Sequence, residues 1–146
     1  MSLYFIGNLT EAIKYSDRAI SVNSSDIHSL DNKALILQKL KRNDEALQYY
    51  DKALAIDPSD TNALDGKPVV LDNLKRYNES LQYLDKILSV NPSNTNALYN
   101  KANVLDDLQR YNESLQYYDK ALAIDPSDTA ALNDKGFCFT IPQTIQ

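Results

Sequence analysis

The chain has 146 residues, 43% hydrophobic and 24% charged, with a formal net charge of −5. That balance fits a folded globular chain and argues against nucleic acid as a partner, because phosphates demand a basic footprint. One cysteine, one histidine and three glycines exclude a disulfide framework, a cysteine-rich zinc site and a phosphate-cradling glycine loop. No apolar run approaches the roughly 20 residues needed to cross a bilayer, and no basic-then-apolar leader opens the sequence. A cytoplasmic protein with no membrane contact is the expectation.

In chain order, residues 8–23 read as an amphipathic helix with Ala12, Ile13, Ser16, Ala19 and Ile20 on one face. Asn23-Ser24-Ser25-Asp26 then makes a turn. From residue 27 onward the sequence repeats itself. Ile56-Asp57-Pro58-Ser59-Asp60, Val90-Asn91-Pro92-Ser93-Asn94 and Ile124-Asp125-Pro126-Ser127-Asp128 are near-copies 34 residues apart. Windows 27–60 and 95–128 agree at about 22 of their 34 positions, which marks a true internal period.

Each window carries two helical stripes. In the third, Leu98, Ala102, Leu105 and Leu108 form one face, and Tyr111, Ser114, Leu115, Tyr118, Ala121 and Leu122 form a second. Asp44, Asn78 and Asn112 are placed to cap the second helices. The proline phrase stops each second helix, because the residue before a proline is driven out of helical angles. The Asp or Asn that follows the proline can cap the next first helix. The spacing therefore predicts a partial repeat over 1–26, helix-turn-helix repeats over 27–60, 61–94 and 95–128, and a first-helix-like segment with a tail over 129–146. The fold class is all-α, with no strand required.

Pro68 departs from the pattern. It stands in a first-helix column that otherwise holds Ala34, Ala102 and Gly136. A proline there deletes one amide donor and crowds the carbonyl of Leu64, at about 3 kcal/mol in a helix interior. A tolerated kink or a locally opened first turn is expected.

The small columns (Ala34, Ala102; Ala46, Ser80, Ser114; Ala53, Ala121), the closing prolines and the 34-residue step resemble the tetratricopeptide repeat family. Leu30, Leu64, Leu98 and Leu132 stand where that family's leading Trp would be, and Lys33-Ala34 and Lys101-Ala102 replace its Leu-Gly pair. The resemblance covers about residues 8–140. It implies a right-handed superhelical solenoid of antiparallel helix pairs whose first helices line a concave groove that takes a peptide or a helix.

Carried onto this chain, the resemblance places Asp31, Gln38 and Lys39 in that groove, with Asn62, Asp65, Asp72 and Asn73 from the next repeat. Asn96, Tyr99, Asn103 and Asp106 follow from the third. The same outward positions are those left over once the leucine stripe is buried. They carry four aspartates against one lysine, which favours a basic or neutral peptide over an acidic one, with the asparagines gripping backbone amides and Tyr99 stacking. Some family members clamp C-terminal carboxylates with Lys, Arg and Asn. Asn103 matches one clamp column, but Asp31, Asp65, Asn62 and Asn96 occupy places a basic residue would need, so a chaperone co-factor of that type is not expected.

No catalytic, metal or cofactor constellation is legible. His28 has no obvious thiol or metal partner. Cys138 lies in the apolar phrase Phe137-Cys138-Phe139, which suits a buried inert thiol. Asn8-Leu9-Thr10, Asn23-Ser24-Ser25, Asn78-Glu79-Ser80 and Asn112-Glu113-Ser114 match a glycosylation pattern; the last two are explained by capping and the small column, and with no secretion signal modification is not expected. The pairs Asp17-Arg18, Asp51-Lys52, Asp85-Lys86 and Asp119-Lys120 read as an ordinary solvated face, and Tyr15, Tyr49, Tyr83 and Tyr117 as packing between second helices. The sequence thus points to a non-catalytic protein-interaction scaffold, the alternative being the substrate-presenting arm of a larger enzyme or regulator. Apolar residues at Leu3, Phe5 and Ile6 and at Phe139 and Ile141 would stay open in an uncapped array and invite self-association.

Overall fold

The computed structural model describes residues 3–140, with side chains from residue 7 onward. Among them are eight helices and no strand: α1 (Leu3–Val22), α2 (Ile27–Lys39), α3 (Asn43–Ile56), α4 (Thr61–Asn73), α5 (Tyr77–Val90), α6 (Thr95–Asp107), α7 (Tyr111–Ile124) and α8 (Thr129–Thr140). The side chains of Leu3, Phe5, Ile6 and Ile141, expected from the sequence to stay open, lie outside the described residues. The chain divides into two compact units between Lys75 and Arg76.

In the first unit, α1 packs on α2, α2 on α3 and α3 on α4, while α2 also reaches α4. The same order recurs in the second unit, with α5 on α6, α6 on α7, α7 on α8 and α6 on α8. The small columns explain how the helices come so close. Ala34, Ala46, Ala53 and Ala63 are fully buried among Leu30, Leu37, Tyr50, Val70 and Leu71 in the first core. In the second unit Ser114 Oγ donates to the Ala102 carbonyl at 2.8 Å, so a small side chain on α7 touches the backbone of α6 directly.

The helix ends follow the sequence in part. Asp60 and Asn94 accept from the Ala63 and Ala97 amides at 2.8 and 2.9 Å, and Asp128 accepts from those of Ala130 and Ala131. These are the caps expected after each proline. Residues Asp57, Asn91 and Asp125, each before a proline, are extended.

The second-helix caps are a correction. Asp44, Asn78 and Asn112 are the second residues of α3, α5 and α7, and the cap positions fall to Arg42, Arg76 and Arg110. The reason lies one residue earlier. Lys41, Lys75 and Gln109 adopt left-handed backbone, with φ of 62°, 58° and 60°. In the first of these turns the Lys41 amide reaches the Gln38 carbonyl and the Arg42 amide reaches Leu37, a Schellman closure. That closure turns the chain early enough for helix to resume at residue 43. Each cap arginine then forks onto the glutamate three residues on, as Arg42 does to both Glu45 oxygens at 2.6 and 2.7 Å.

A second feature joins successive helices. Lys33, Lys67, Lys101 and Lys135 on first helices each donate to an aspartate sixteen residues earlier on the preceding second helix: Asp17, Asp51, Asp85 and Asp119. The aspartates are the exposed members, as the sequence suggested, yet their partners are these lysines. Lys33 also lies 4.3 Å over the Tyr49 ring and donates to its hydroxyl, and Lys101 lies 4.4 Å over Tyr117. Burial works against the charge of Lys33, but the bonds from Asp17 and Tyr49 outweigh it and hold the amine above the usual lysine range.

Pro68 sits inside α4, which continues through it to Asn73, and its side chain is buried. Because a ring without an N–H cannot complete the bond to the Leu64 carbonyl, Pro68→Ala is expected to raise the thermal midpoint by several degrees, for about 1–3 kcal/mol. Circular dichroism melts of the two chains check this, and an unchanged or lower midpoint would refute it.

Candidate functional site

In the first unit α2, α3 and α4 enclose a cleft of about 370 Å³. Asp31, Leu35 and Gln38 come from α2, Tyr50 from α3, and Asn62 and Asp65 from α4, with His28 and Asn32 also on the lining. Tyr50 reaches this surface because residue 66 is glycine. A Cβ there would stand 2.3 Å from the Tyr50 ring, closer than any contact permits. The tyrosine hydroxyl, thus admitted, donates to Gln38 Oε1 at 3.3 Å. Burial first, then the nearby carboxylates of Asp31 and Asp60, pushes its phenol up to about 12.

Asp31 is the unusual member. The residue is 6% exposed. Its Oδ2 accepts from Asn62 Nδ2 at 3.2 Å, while its Oδ1 has no hydrogen-bond partner. Burial pushes its carboxyl up to about 6; Asp60 adds to the rise, and Asn62 and His28 oppose it. No lysine or arginine lines the cleft. The local field is therefore negative and one acceptor is unsatisfied.

The second unit uses its outward residues differently. Tyr99 donates to Asp134 Oδ2 at 2.6 Å, Tyr118 donates to Asn103 Oδ1, and the two rings lie 6.1 Å apart at 56°. Burial, and then the bond to Asp134, holds the Tyr99 phenol above its ordinary value. Cys138 is buried and donates from Sγ to Asp106 Oδ1 at 3.2 Å. Burial and that carboxylate raise the thiol to about 11, which leaves it protonated and unreactive at neutral pH.

Of the residues picked from the sequence, Asp31, Gln38, Asn62 and Asp65 are brought together around the cleft. Tyr99, Asn103 and Asp106 fall into the second unit's network of internal bonds. Lys39, Asn73 and Asn96 are exposed, Asp72 is half-buried, and none of these four lines the cleft. Tyr50 and Gly66 escaped the sequence reading. Tyr50 sat within a stripe counted as core, and only the coincidence of a glycine on the facing helix would have signalled that its hydroxyl emerges.

Among the described residues no group of three or more His, Cys, Asp or Glu is placed to hold a metal ion, and no helix is long and apolar enough to cross a membrane. Antiparallel helix pairs of constant length, stacked through small residues, define a helical repeat array. Models of the tetratricopeptide repeat match residues 32–60 and 95–128 and residues 69–94, more than half of the chain. The chain belongs to the tetratricopeptide repeat family, whose members are solenoids that generally serve as non-catalytic scaffolds binding proteins or peptides.

Solved structures show the same fold. A tetratricopeptide repeat protein from Parabacteroides merdae is 25% identical with a TM-score of 0.83, over 92% of this chain and 52% of that one. The chain thus spans about half the length of that protein. MamA from Desulfovibrio magneticus RS-1 is 23% identical with a TM-score of 0.78, over 92% of this chain and 76% of that one. YrrB, described as a repeat protein with an unusual peptide-binding site, is 20% identical with a TM-score of 0.69, over 94% and 71%. No curated protein sequence matches the chain.

Asp31 faces His28 on its own helix, Tyr50 on α3, and Asp60, Asn62 and Asp65 at α4. Its folded-state pKa of about 6 lies above that of a free aspartate, near 3.9. The folded state therefore binds the proton more tightly, so the group subtracts stability at neutral pH and returns it as the pH falls through 6 toward 4. Asp31→Asn is expected to raise the melting midpoint by about 2–4 °C at pH 7.5, with the gain shrinking at pH 4.5. Thermal unfolding at both values checks it, and a gain of equal size at the two would refute burial as the cause.

Proposed function

We propose that the chain is a non-catalytic protein-interaction module that takes a basic or neutral polypeptide segment in the cleft lined by α2, α3 and α4 of its first unit. The observation that carries this reading is the acidic cleft of the first unit, where Asp31 and Asp65 line a hollow free of cationic side chains. Like charge repels an acidic segment and complementary charge draws a basic one, mainly through the association rate. Asn62 and Gln38 present amide groups of the kind that hold an extended backbone. The family's general use as a binding scaffold, and the peptide-binding site described for YrrB, support the same class of role. A cytoplasmic location belongs to this reading, and so does self-association, for which the exposed Phe137 and Phe139 on α8 offer contact area.

The test is an array of arbitrary decapeptides spanning net charge, probed with the full chain at low and moderate salt. Basic and neutral peptides are expected to dominate, and the binding of basic ones should weaken as salt screens the attraction. The variant Asp65→Lys should shift the preference toward acidic peptides. Dominance of acidic peptides on the unaltered chain, binding of basic ones that salt leaves unchanged, or no peptide binding at all would overturn the reading.

A further inference from the structure

We propose that the cleft between α2, α3 and α4 is a socket for one guanidinium, the arginine side chain of a bound polypeptide, with Asp31 Oδ1 as its fixed acceptor. This rests on the peptide-binding reading above and names what the peptide must carry at one position. The starting point is an anomaly of satisfaction. Buried acceptors almost always find donors, and a carboxylate oxygen that does not calls for an explanation. Asp31 is more than nine-tenths buried, forms part of the cleft wall, and has one oxygen bonded to Asn62 and the other without a partner. The neighbouring carboxylates of Asp60 and Asp65 deepen the negative field and cannot supply a proton donor when ionised.

The chemistry of the lining selects the occupant. A buried carboxylate oxygen without a partner suits a cation that brings its own hydrogen bonds. An ammonium is a strongly hydrated point charge, whereas a guanidinium is planar, weakly hydrated and carries five donors in a fork. The cleft offers acceptors to several of these at once, through Asp31, Asp65 and the side-chain carbonyl of Gln38. Leu35 and the Tyr50 ring supply apolar wall for the aliphatic stem and the flat face. A hollow of about 370 Å³ accommodates such a side chain together with part of its backbone.

The socket also accounts for a stability cost. A carboxyl whose proton affinity is raised by burial gains most from a cation that arrives with its own hydrogen bonds, because the pair is then both neutralised and satisfied. In the second unit Tyr99, Asn103 and Asp106 pair with Asp134, Tyr118 and Cys138, so these three polar groups are engaged with one another's neighbours rather than facing a cleft of this kind.

The experiment is a proton–nitrogen NMR titration of the full chain with Nα-acetyl-arginine amide, run beside its neutral citrulline isostere and Nα-acetyl-lysine amide. The arginine compound is expected to cause saturable shifts confined to residues 28–38, Tyr50 and residues 62–66, at an affinity about ten-fold above either control. Asp31→Asn should weaken it by about ten-fold while keeping the folded spectrum, and Leu35→Ala should weaken it less. Equal binding of arginine and citrulline, equal or tighter binding of lysine, shifts elsewhere, or full affinity in the folded Asp31→Asn chain would overturn the socket. Decapeptides that bind while the arginine compound does not would sink the socket alone. An arginine compound that binds as expected while no decapeptide does would uphold the socket as a guanidinium site and sink the peptide reading.

Discussion

The close approach of paired helices through small side chains is the constraint from which the rest follows. Ser114 on α7 hydrogen-bonds the carbonyl of Ala102 on α6, so the two backbones are separated by little more than one hydroxyl. Ala34 and Ala46 occupy the matching positions in the first unit and are fully buried. A larger residue in either column would prise the helices apart and open the leucine faces of Leu30 and Leu98 to water. With the pair held tight, each helix pair still has an apolar side to cover, and its neighbour does so. Pro68 fits this column by size, though its missing amide offends the helix around it.

The lysine–aspartate link then fixes how one helix meets the one before it. Four times a lysine stem from a first helix crosses to an aspartate sixteen residues back. The aspartates are more than half exposed, which limits what the ion pairs themselves contribute. The lysine stems matter more. Lys33 and Lys101 are mostly buried, cover the Tyr49 and Tyr117 rings, and keep only the amine in reach of solvent.

Most of the fold was legible because a 34-residue period forces its own explanation. Pro58, Pro92 and Pro126 stop helices by a purely local steric effect, and Asp60, Asn94 and Asp128 cap the next ones by another, so both could be placed from sequence. The second-helix caps could not. Their position depends on Lys41, Lys75 and Gln109 turning left-handed, a conformation that glycine usually announces and these residues do not. The lysine links were missed for a different reason: a sixteen-residue separation matches no helical or strand spacing and becomes a contact only once helices stack. Within the candidate site, Asp31, Gln38, Asn62 and Asp65 could be found by subtraction of the buried stripe. The role of Gly66 could not, since it is the shape of Tyr50 on another helix that gives it meaning.

A repeat scaffold frees its outward positions to diverge, and this chain shows the result. The column that reads Asp31, Asp65, Tyr99 and Asn133 is chemically uneven, and so is the facing column Tyr50, Leu84 and Tyr118. Where tyrosine meets a polar partner in the second unit, hydroxyls and carboxylates satisfy one another: Tyr99 with Asp134, Tyr118 with Asn103. In the first unit Tyr50 fills the space beside Gly66, and Asp31 on the cleft wall has one oxygen without a hydrogen-bond partner. Similar helix pairs thus yield a closed network around Tyr99 and Tyr118 and an open acceptor at Asp31. Folding gains nothing from the second arrangement, because an ionised carboxylate with an idle lone pair carries its desolvation cost without return. A buried acceptor that stability disfavours, standing on the wall of a cleft, has the form of a recognition element.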